Sequence, residues 1–155
     1  MKTQITAFFM AWGMFLSIPC PAKIWDEKAR QLVYLPLVGL LVGAIWALAA
    51  YLTGLFGRLP AICAAILAAL PFLLTGFIHL DGFMDCCDAI LSRRDLATRQ
   101  KILKDSHVGS FSVVCTIFLM LAMFAAFRDF DAKNGFWGLI LIPVFSRFAS
   151  SFCVF

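Results

Sequence analysis

Five stretches of this chain carry no charged residue: Thr3–Ala22, Gln31–Gly57, Leu59–Ile78, Val108–Phe127 and Asn134–Ser146, the last resuming after Arg147. No other feature limits the fold so strongly. A bilayer's hydrocarbon core is ~30 Å thick and takes about 20 apolar residues as a helix. In lipid only a helix or a closed barrel satisfies its own backbone polar groups. Leu32–Phe56, Pro60–Ile78 and Val108–Phe127 meet the length comfortably. Gly135–Phe155 meets it provided Arg147 faces protein, water or a substrate. Ile5–Ile18 is followed at once by Pro19 and Pro21, so it is read as spanning, interfacial or re-entrant. A signal peptide is the competing reading of that stretch, but an Ala-x-Ala cleavage site is missing. Composition agrees: 63% of the 155 residues are hydrophobic and 14% charged. Soluble domains have about 45–50% apolar and about 25% charged residues, so lipid must cover the surplus. The expected fold is all-α, a polytopic transmembrane helix bundle with a polar helix-loop segment, residues 1–155 forming a single integral membrane domain.

The basic residues orient the bundle. If all five stretches span, Lys23, Lys28, Arg30, Arg93, Arg94, Arg99, Lys101 and Lys104 share one side. The other side holds Lys2, Arg58, Arg128 and Lys133. Lys and Arg accumulate on cytoplasmic loops, so the segment from His79 to His107 is placed in the cytoplasm of a cell (cytoplasmic) membrane protein. The net charge of +4 is thus mainly a topology signal, and no basic surface suited to nucleic acid is formed. The six cysteines lack a Cys-x-x-Cys spacing, and Cys86–Cys87 lies on the reducing side. That excludes a disulfide framework and argues against a structural zinc site.

Between the apolar stretches lie packing and turn signals. Gly39, Gly43 and Ala47 recur every four residues, a spacing that lets a second helix approach closely. Alanines alternate with Leu and Ile over Leu59–Leu74, again for close packing. Arg58-Leu59-Pro60 reads as a tight turn with Pro60 in the first helical turn. Lys23–Arg30, following Pro19-Cys20-Pro21, and Arg128–Lys133 read as charged connectors.

The chemistry concentrates in one polar island. Asp81, Asp85 and Asp88 are spaced i, i+4, i+7. At about 100° per residue they fall within about 60° of each other on one helical face. Like charges at that spacing destabilise a helix unless something neutralises them. Beside an apolar span each carboxylate adds ~2.5–3.5 kcal/mol on insertion scales. A hard divalent cation answers both problems, and Mg²⁺ commonly takes one or two carboxylates, waters and a substrate phosphate. A solvated acidic helix end is the plainer alternative, and it leaves His79, two residues earlier, unexplained. Ser92 is expected to N-cap a short helix running to about Lys104. Arg93, Arg94, Arg99, Lys101 and Lys104 surround the acids, arginine offering a fork for phosphate oxygens and lysine a point charge. Lys104-Asp105-Ser106-His107, followed by Gly109, sets a cation, an anion, a hydroxyl and an imidazole at the mouth of the next span. Together these groups point to phosphoryl transfer at a membrane surface, where positioning and charge neutralisation supply most of the catalysis.

The ordered motifs resemble those of cobalamin synthase, the adenosylcobinamide-GDP ribazoletransferase family. His79-Leu80-Asp81-Gly82, then Asp85 and Asp88, then Lys104-Asp105-Ser106 with Gly109 match its pattern. Phe15-Leu-Ser-Ile-Pro-Cys-Pro, Tyr34-Leu-Pro-Leu-Val-Gly and Ser146-Arg147 resemble flanking family segments. The resemblance implies Mg²⁺-dependent joining of adenosylcobinamide-GDP to α-ribazole, or its 5′-phosphate, with release of GMP. It places Mg²⁺ on Asp81, Asp85 and Asp88. Arg93, Arg94, Lys104, Ser106 and Arg147 would bind substrate phosphate. Asp105, His79 and Lys104 would be catalytic, Asp105 or His79 orienting or deprotonating the attacking hydroxyl. Ala89 and Ser112 stand where glycine is common in the family, and His107 where arginine is common. Family members also continue well beyond this length, so the chain is expected to correspond to their N-terminal portion. Homo-oligomerisation is left open.

Three other readings compete. A different membrane-embedded diphosphate-dependent transferase, such as a CDP-alcohol phosphotransferase or a prenyltransferase, also sets aspartates at helical spacing. The Lys-Asp-Ser turn and the absence of an Ala-Arg pair after Asp81-Gly82 argue against the former. An ion or proton path would need acids on more than one span, and the other spans have none. An inactive shortened homologue is the third alternative.

Overall fold

A computed structural model describes residues 2–20, 30–56 and 60–154. Among these the chain forms seven α-helices and no strand: α1 (Lys2–Phe15), α2 (Leu35–Phe56), α3 (Pro60–Leu74), α4 (Ile78–Leu91), α5 (Leu96–Ile102), α6 (Ser110–Arg128) and α7 (Ala132–Val154). A 3₁₀ turn, Gln31–Tyr34, leads into α2. The fold is the helical membrane bundle expected. Three helical segments are long and apolar enough to cross a bilayer: Gln31–Leu55, Ser110–Arg128 and Gly135–Cys153. The connector at 23–29 and the turn residues Arg58 and Leu59 lie outside the described residues.

The core forms where small residues remove the distance between helices. A Cβ added to Gly39 would sit 2.6 Å from the Pro143 carbonyl oxygen, and one on Gly43 2.6 Å from that of Ile140. The expected glycine face of α2 therefore seats the α7 backbone directly, and Ala47 continues it with no exposed surface. On α3, Ala64, Leu67 and Ala68 are buried one turn apart. Pro71 lies inside α3 and has no N–H for the Leu67 carbonyl four residues back. The indole Nε1 of Trp46 donates to that carbonyl at 2.7 Å, so the vacancy left by proline becomes an α2–α3 tie. Outward, Leu48, Leu52, Ile117, Phe118, Leu121, Phe145 and Phe148 are exposed, the face a bilayer covers.

Two expectations change. Pro60–Ile78 is not one comfortable span, because α3 ends at Leu74 and α4 leaves it at a 92° bend. Fifteen residues reach ~22 Å at about 1.5 Å per residue. The bend has a local cause. Gly76 and Phe77 both take left-handed φ, 58° and 63°, and the Thr75 hydroxyl donates back to the Pro71 carbonyl at 2.9 Å. Ser17, just past α1, braces the corner from outside, its amide donating to Leu74 O at 2.9 Å and its hydroxyl to Leu73 O at 2.6 Å. Ile5–Ile18, read as spanning, interfacial or re-entrant, contributes to the 14-residue α1 and to this brace. Ala7, Met10 and Ala11 bury its inner side.

The second correction concerns Ser92. It closes α4 as its C-cap, its hydroxyl donating to Ala89 O at 2.9 Å. Arg93 follows at φ 52°, which breaks the helix. Asp95 N-caps α5 instead, accepting from the Thr98 amide at 3.2 Å and the Thr98 hydroxyl at 2.6 Å. The local Asp95-Leu-Ala-Thr98 spacing outcompetes Ser92, whose backbone remains helical.

Candidate active site

The bend after Leu74 turns α4 across the end of the bundle, so its acidic face looks onto the α5–α6 loop. Asp81, Asp85 and Asp88 occupy this one helix, as their spacing requires. They line a cavity of about 330 Å³ together with Lys104, Asp105 and Ser106, and with Met84, Leu103, His107, Val108 and Ser112. Two segments separated by the whole of α5 thus meet at one recess. A larger recess of about 400 Å³ near Tyr51, Pro60 and Phe130 is mostly apolar and holds no paired acids, so chemistry favours the smaller one.

The three aspartates are not equivalent. Asp88 Oδ2 accepts the Gly109 amide at 2.8 Å and its Oδ1 the Ser112 amide at 3.0 Å. Gly109 is the N-cap of α6 but has no side chain to cap with. Asp88 supplies the missing acceptor from α4 and sets its negative charge on the positive end of a 19-residue helix. A Cβ on Gly109 would collide with that carboxylate. The Ser112 hydroxyl, almost fully buried, closes the turn by donating to Gly109 O at 2.7 Å. The carboxylates of Asp81 and Asp85 make no hydrogen bond or ion pair among the described residues.

Across the cavity, Asp105 Oδ1 accepts the His107 amide at 3.1 Å and lies 2.5 Å from His107 Nδ1. The imidazole beside it pulls the Asp105 carboxyl below its ordinary range. Asp105 in turn raises His107 above the usual imidazole value by accepting its ring N–H. The histidine standing where arginine is common in the resembled family thereby has its protonated form favoured over that of a free imidazole. Lys104 and Ser106 stand on the same turn. Arg93 and Arg94 are exposed and do not line the cavity. His79 and Arg147 also lie outside its lining. His79 instead stacks parallel on Phe15, ring centroids 6.2 Å apart.

Among the described residues no three His, Cys, Asp or Glu side chains group into a cage that would hold a metal by protein ligands alone. The donor set fits the other mode of Mg²⁺ binding, in which one or two carboxylates share the ion with water and substrate phosphate. Asp81 and Asp85, unpartnered and one turn apart, are such a pair.

A family model described as cobalamin-5-phosphate synthase matches residues 7–155. The chain belongs to this family. A Clostridium perfringens protein named adenosylcobinamide-GDP ribazoletransferase is 40% identical over 157 residues, covering 99% of this chain and 62% of its own length. One of the same name from Clostridium botulinum is 39% identical over 150 residues, covering 95% of this chain and 60% of its own. Another from Halalkalibacterium halodurans is 35% identical over 153 residues, covering 95% and 58%. The chain therefore spans about three fifths of the length of these cobalamin-5-phosphate synthase relatives. No solved structure matches it.

Proposed function

We propose that this chain carries the diphosphate-binding part of a membrane transferase that joins adenosylcobinamide-GDP to α-ribazole, or its 5′-phosphate, and releases GMP. The observation carrying this reading is the shared cavity of Asp81, Asp85, Lys104, Asp105 and Ser106 at the end of an apolar bundle. The relatives' printed name supplies the substrate, and the family membership makes it applicable here.

Asp81 and Asp85 would hold Mg²⁺, whose chemistry when bound is to neutralise diphosphate charge and ease departure of the GMP oxygen. Asp88 keeps the rim in place by tying α4 to α6. Lys104, the Ser106 hydroxyl and His107 face the phosphate oxygens, acting as charge and hydrogen-bond donors. Asp105 Oδ2 has no partner among the described residues and is placed to receive the proton of the acceptor hydroxyl. The acceptor oxygen forms a bond to the cobinamide-side phosphorus, the bond from that phosphorus to the bridging oxygen breaks, and GMP leaves with the electron pair. The five basic residues Arg93, Arg94, Arg99, Lys101 and Lys104 beside this cavity favour the cytoplasmic face of the cell membrane.

The test is product formation from adenosylcobinamide-GDP and α-ribazole in membranes containing the chain. Chelation of Mg²⁺ abolishes it, and Asp85→Asn lowers it by about 10²-fold or more. Product that persists undiminished in Asp85→Asn sinks the assignment.

A further inference from the structure

The 92° bend lays α4 across the end of the bundle, and the helix has two unlike sides. Phe83, Cys86 and Ile90 are spaced i, i+3, i+7, so at about 100° per residue they share a face within about 60°. That face points about 160° away from the one carrying Asp81, Asp85 and Asp88. All three side chains are exposed, Ile90 at 62%. Carboxylates thus look toward the recess and apolar groups look away from it. Cations stand where the apolar face ends. Ser92 closes the helix, Arg93 turns the chain at φ 52°, and Arg93 and Arg94 are both exposed. Neither guanidinium has a hydrogen bond or ion pair among the described residues. The next acid, Asp95, is committed to Thr98 as the cap of α5. Leu96, 71% exposed, follows, so apolar groups flank the two arginines on both sides. The recess makes no use of the pair, since neither arginine lines it. An apolar helix face with free cations at its end is the pattern of a helix lying in a membrane interface. Water would leave the apolar side uncovered, and a neutral surface would leave the guanidiniums without counter-charge. A leaflet containing anionic phospholipid satisfies both, and the guanidinium fork matches its phosphate oxygens.

We propose that the outer side of α4 and the Arg93–Arg94 corner form a docking surface for anionic phospholipid. Phe83, Cys86 and Ile90 enter the acyl boundary, and Arg93 and Arg94 hold headgroup phosphates. The opposite face of the same helix then keeps Asp81, Asp85 and Asp88 turned to the aqueous side. Arg93 and Arg94 serve the membrane and not the substrate. The surface rests on the two sides of α4 and its terminal corner, whichever reaction the recess performs.

The experiment uses the 155-residue chain in nanodiscs made of phosphatidylcholine and phosphatidylglycerol in equal parts. The photoreactive residue p-benzoylphenylalanine replaces Ile90 in one version and Leu121, on the exposed side of α6, in another. After irradiation, mass spectrometry identifies what each position has captured. Position 90 should capture lipid, with phosphatidylglycerol over phosphatidylcholine by about fivefold or more. Position 121 should capture both lipids in the proportion supplied. Combining Arg93→Gln with Arg94→Gln should bring position 90 to the supplied proportion. Arg93→Lys with Arg94→Lys, which keeps the charge, should restore most of the preference. Unchanged lipid capture at position 121 in the glutamine variant shows that the bundle is still folded and inserted. No lipid at position 90 while position 121 captures it would overturn the docking surface. Capture of a second copy of the chain at position 90 would do the same, and would make this face an interface between copies. Lipid capture without preference, or a preference that survives the glutamine pair, would overturn the role of Arg93 and Arg94. No readout depends on substrate or Mg²⁺, so failure here leaves the transferase reading standing, and the reverse.

Discussion

At the residue scale the three aspartates divide their labour according to what lies opposite each. Asp88 faces two backbone amides at the start of α6, so Asp88→Ala removes a helix cap across a tertiary contact. Loss of about 1–2 kcal/mol in detergent unfolding is expected, in the range of cap deletions. Asp81→Asn and Asp85→Asn should change stability by no more than about 0.5 kcal/mol, since neither carboxylate has a partner to lose. Equal destabilisation by all three would contradict this division. Asp105 and His107 form the other residue-scale device, with Lys104, Asp81, Asp85 and Asp88 as the charged neighbours on the same cavity. His107, raised by Asp105, contributes stabilisation that is complete below its ordinary pKa and is lost as pH rises through the raised value. Asp105, lowered by His107, contributes above its ordinary pKa and loses that as pH falls through the lowered one. The pair is therefore fully held between about pH 3.9 and about pH 6.5, the ordinary Asp and His values. An NMR titration of the His107 ring should show a midpoint above the ordinary value that drops in Asp105→Asn. A midpoint indifferent to that substitution would remove the pairing.

At the element scale, close approach and bends shape the bundle. Gly43→Leu would push a side chain into the α7 backbone at Ile140 and Leu139. Overpacking of this sort costs ~1–3 kcal/mol and more when backbone must shift, so a lower melting temperature and loss of α2–α7 cross-linking are expected. Trp46→Phe keeps the ring but leaves the Leu67 carbonyl unpaired, an expected loss of ~1–3 kcal/mol that Leu52→Phe on the lipid face should not reproduce. The glycine face was legible in the sequence because four-residue spacing of small side chains has one purpose in an apolar helix. The stop at Leu74 was not. Hydropathy sums over Pro60–Ile78 and is blind to the two left-handed residues, Gly76 and Phe77, that turn the chain. Nor could the Trp46 tie be read, since it joins two helices through the one carbonyl that Pro71 leaves free.

For the whole molecule, the bend sets what the site can be. A straight helix through residue 78 would have carried the acids onward along the bundle axis; the 92° turn lays them against the mouth of α6. The side of the membrane this end occupies is testable by itself. A reporter fused after Arg94 should read cytoplasmic, with the five basic residues from Arg93 to Lys104 on its side. A reading on the opposite face would overturn the orientation and, with it, access of cytoplasmic nucleotide to the cavity.

The sequence alone determined the solvent, the helical class and the residue types available for chemistry. Apolar run length, Lys and Arg bias and the i, i+4, i+7 carboxylates are local or summed properties. Tertiary structure decided which carboxylates remain free. Only the docking of α4 on α6 shows Asp88 engaged as a cap while, among the described residues, the Asp81 and Asp85 carboxylates stay unpartnered. Spacing along a chain fixes the face a side chain shares, but the partner on that face comes from residues distant in sequence. That is why the long uncharged stretches foretold the bundle and could not foretell the division of roles at its end.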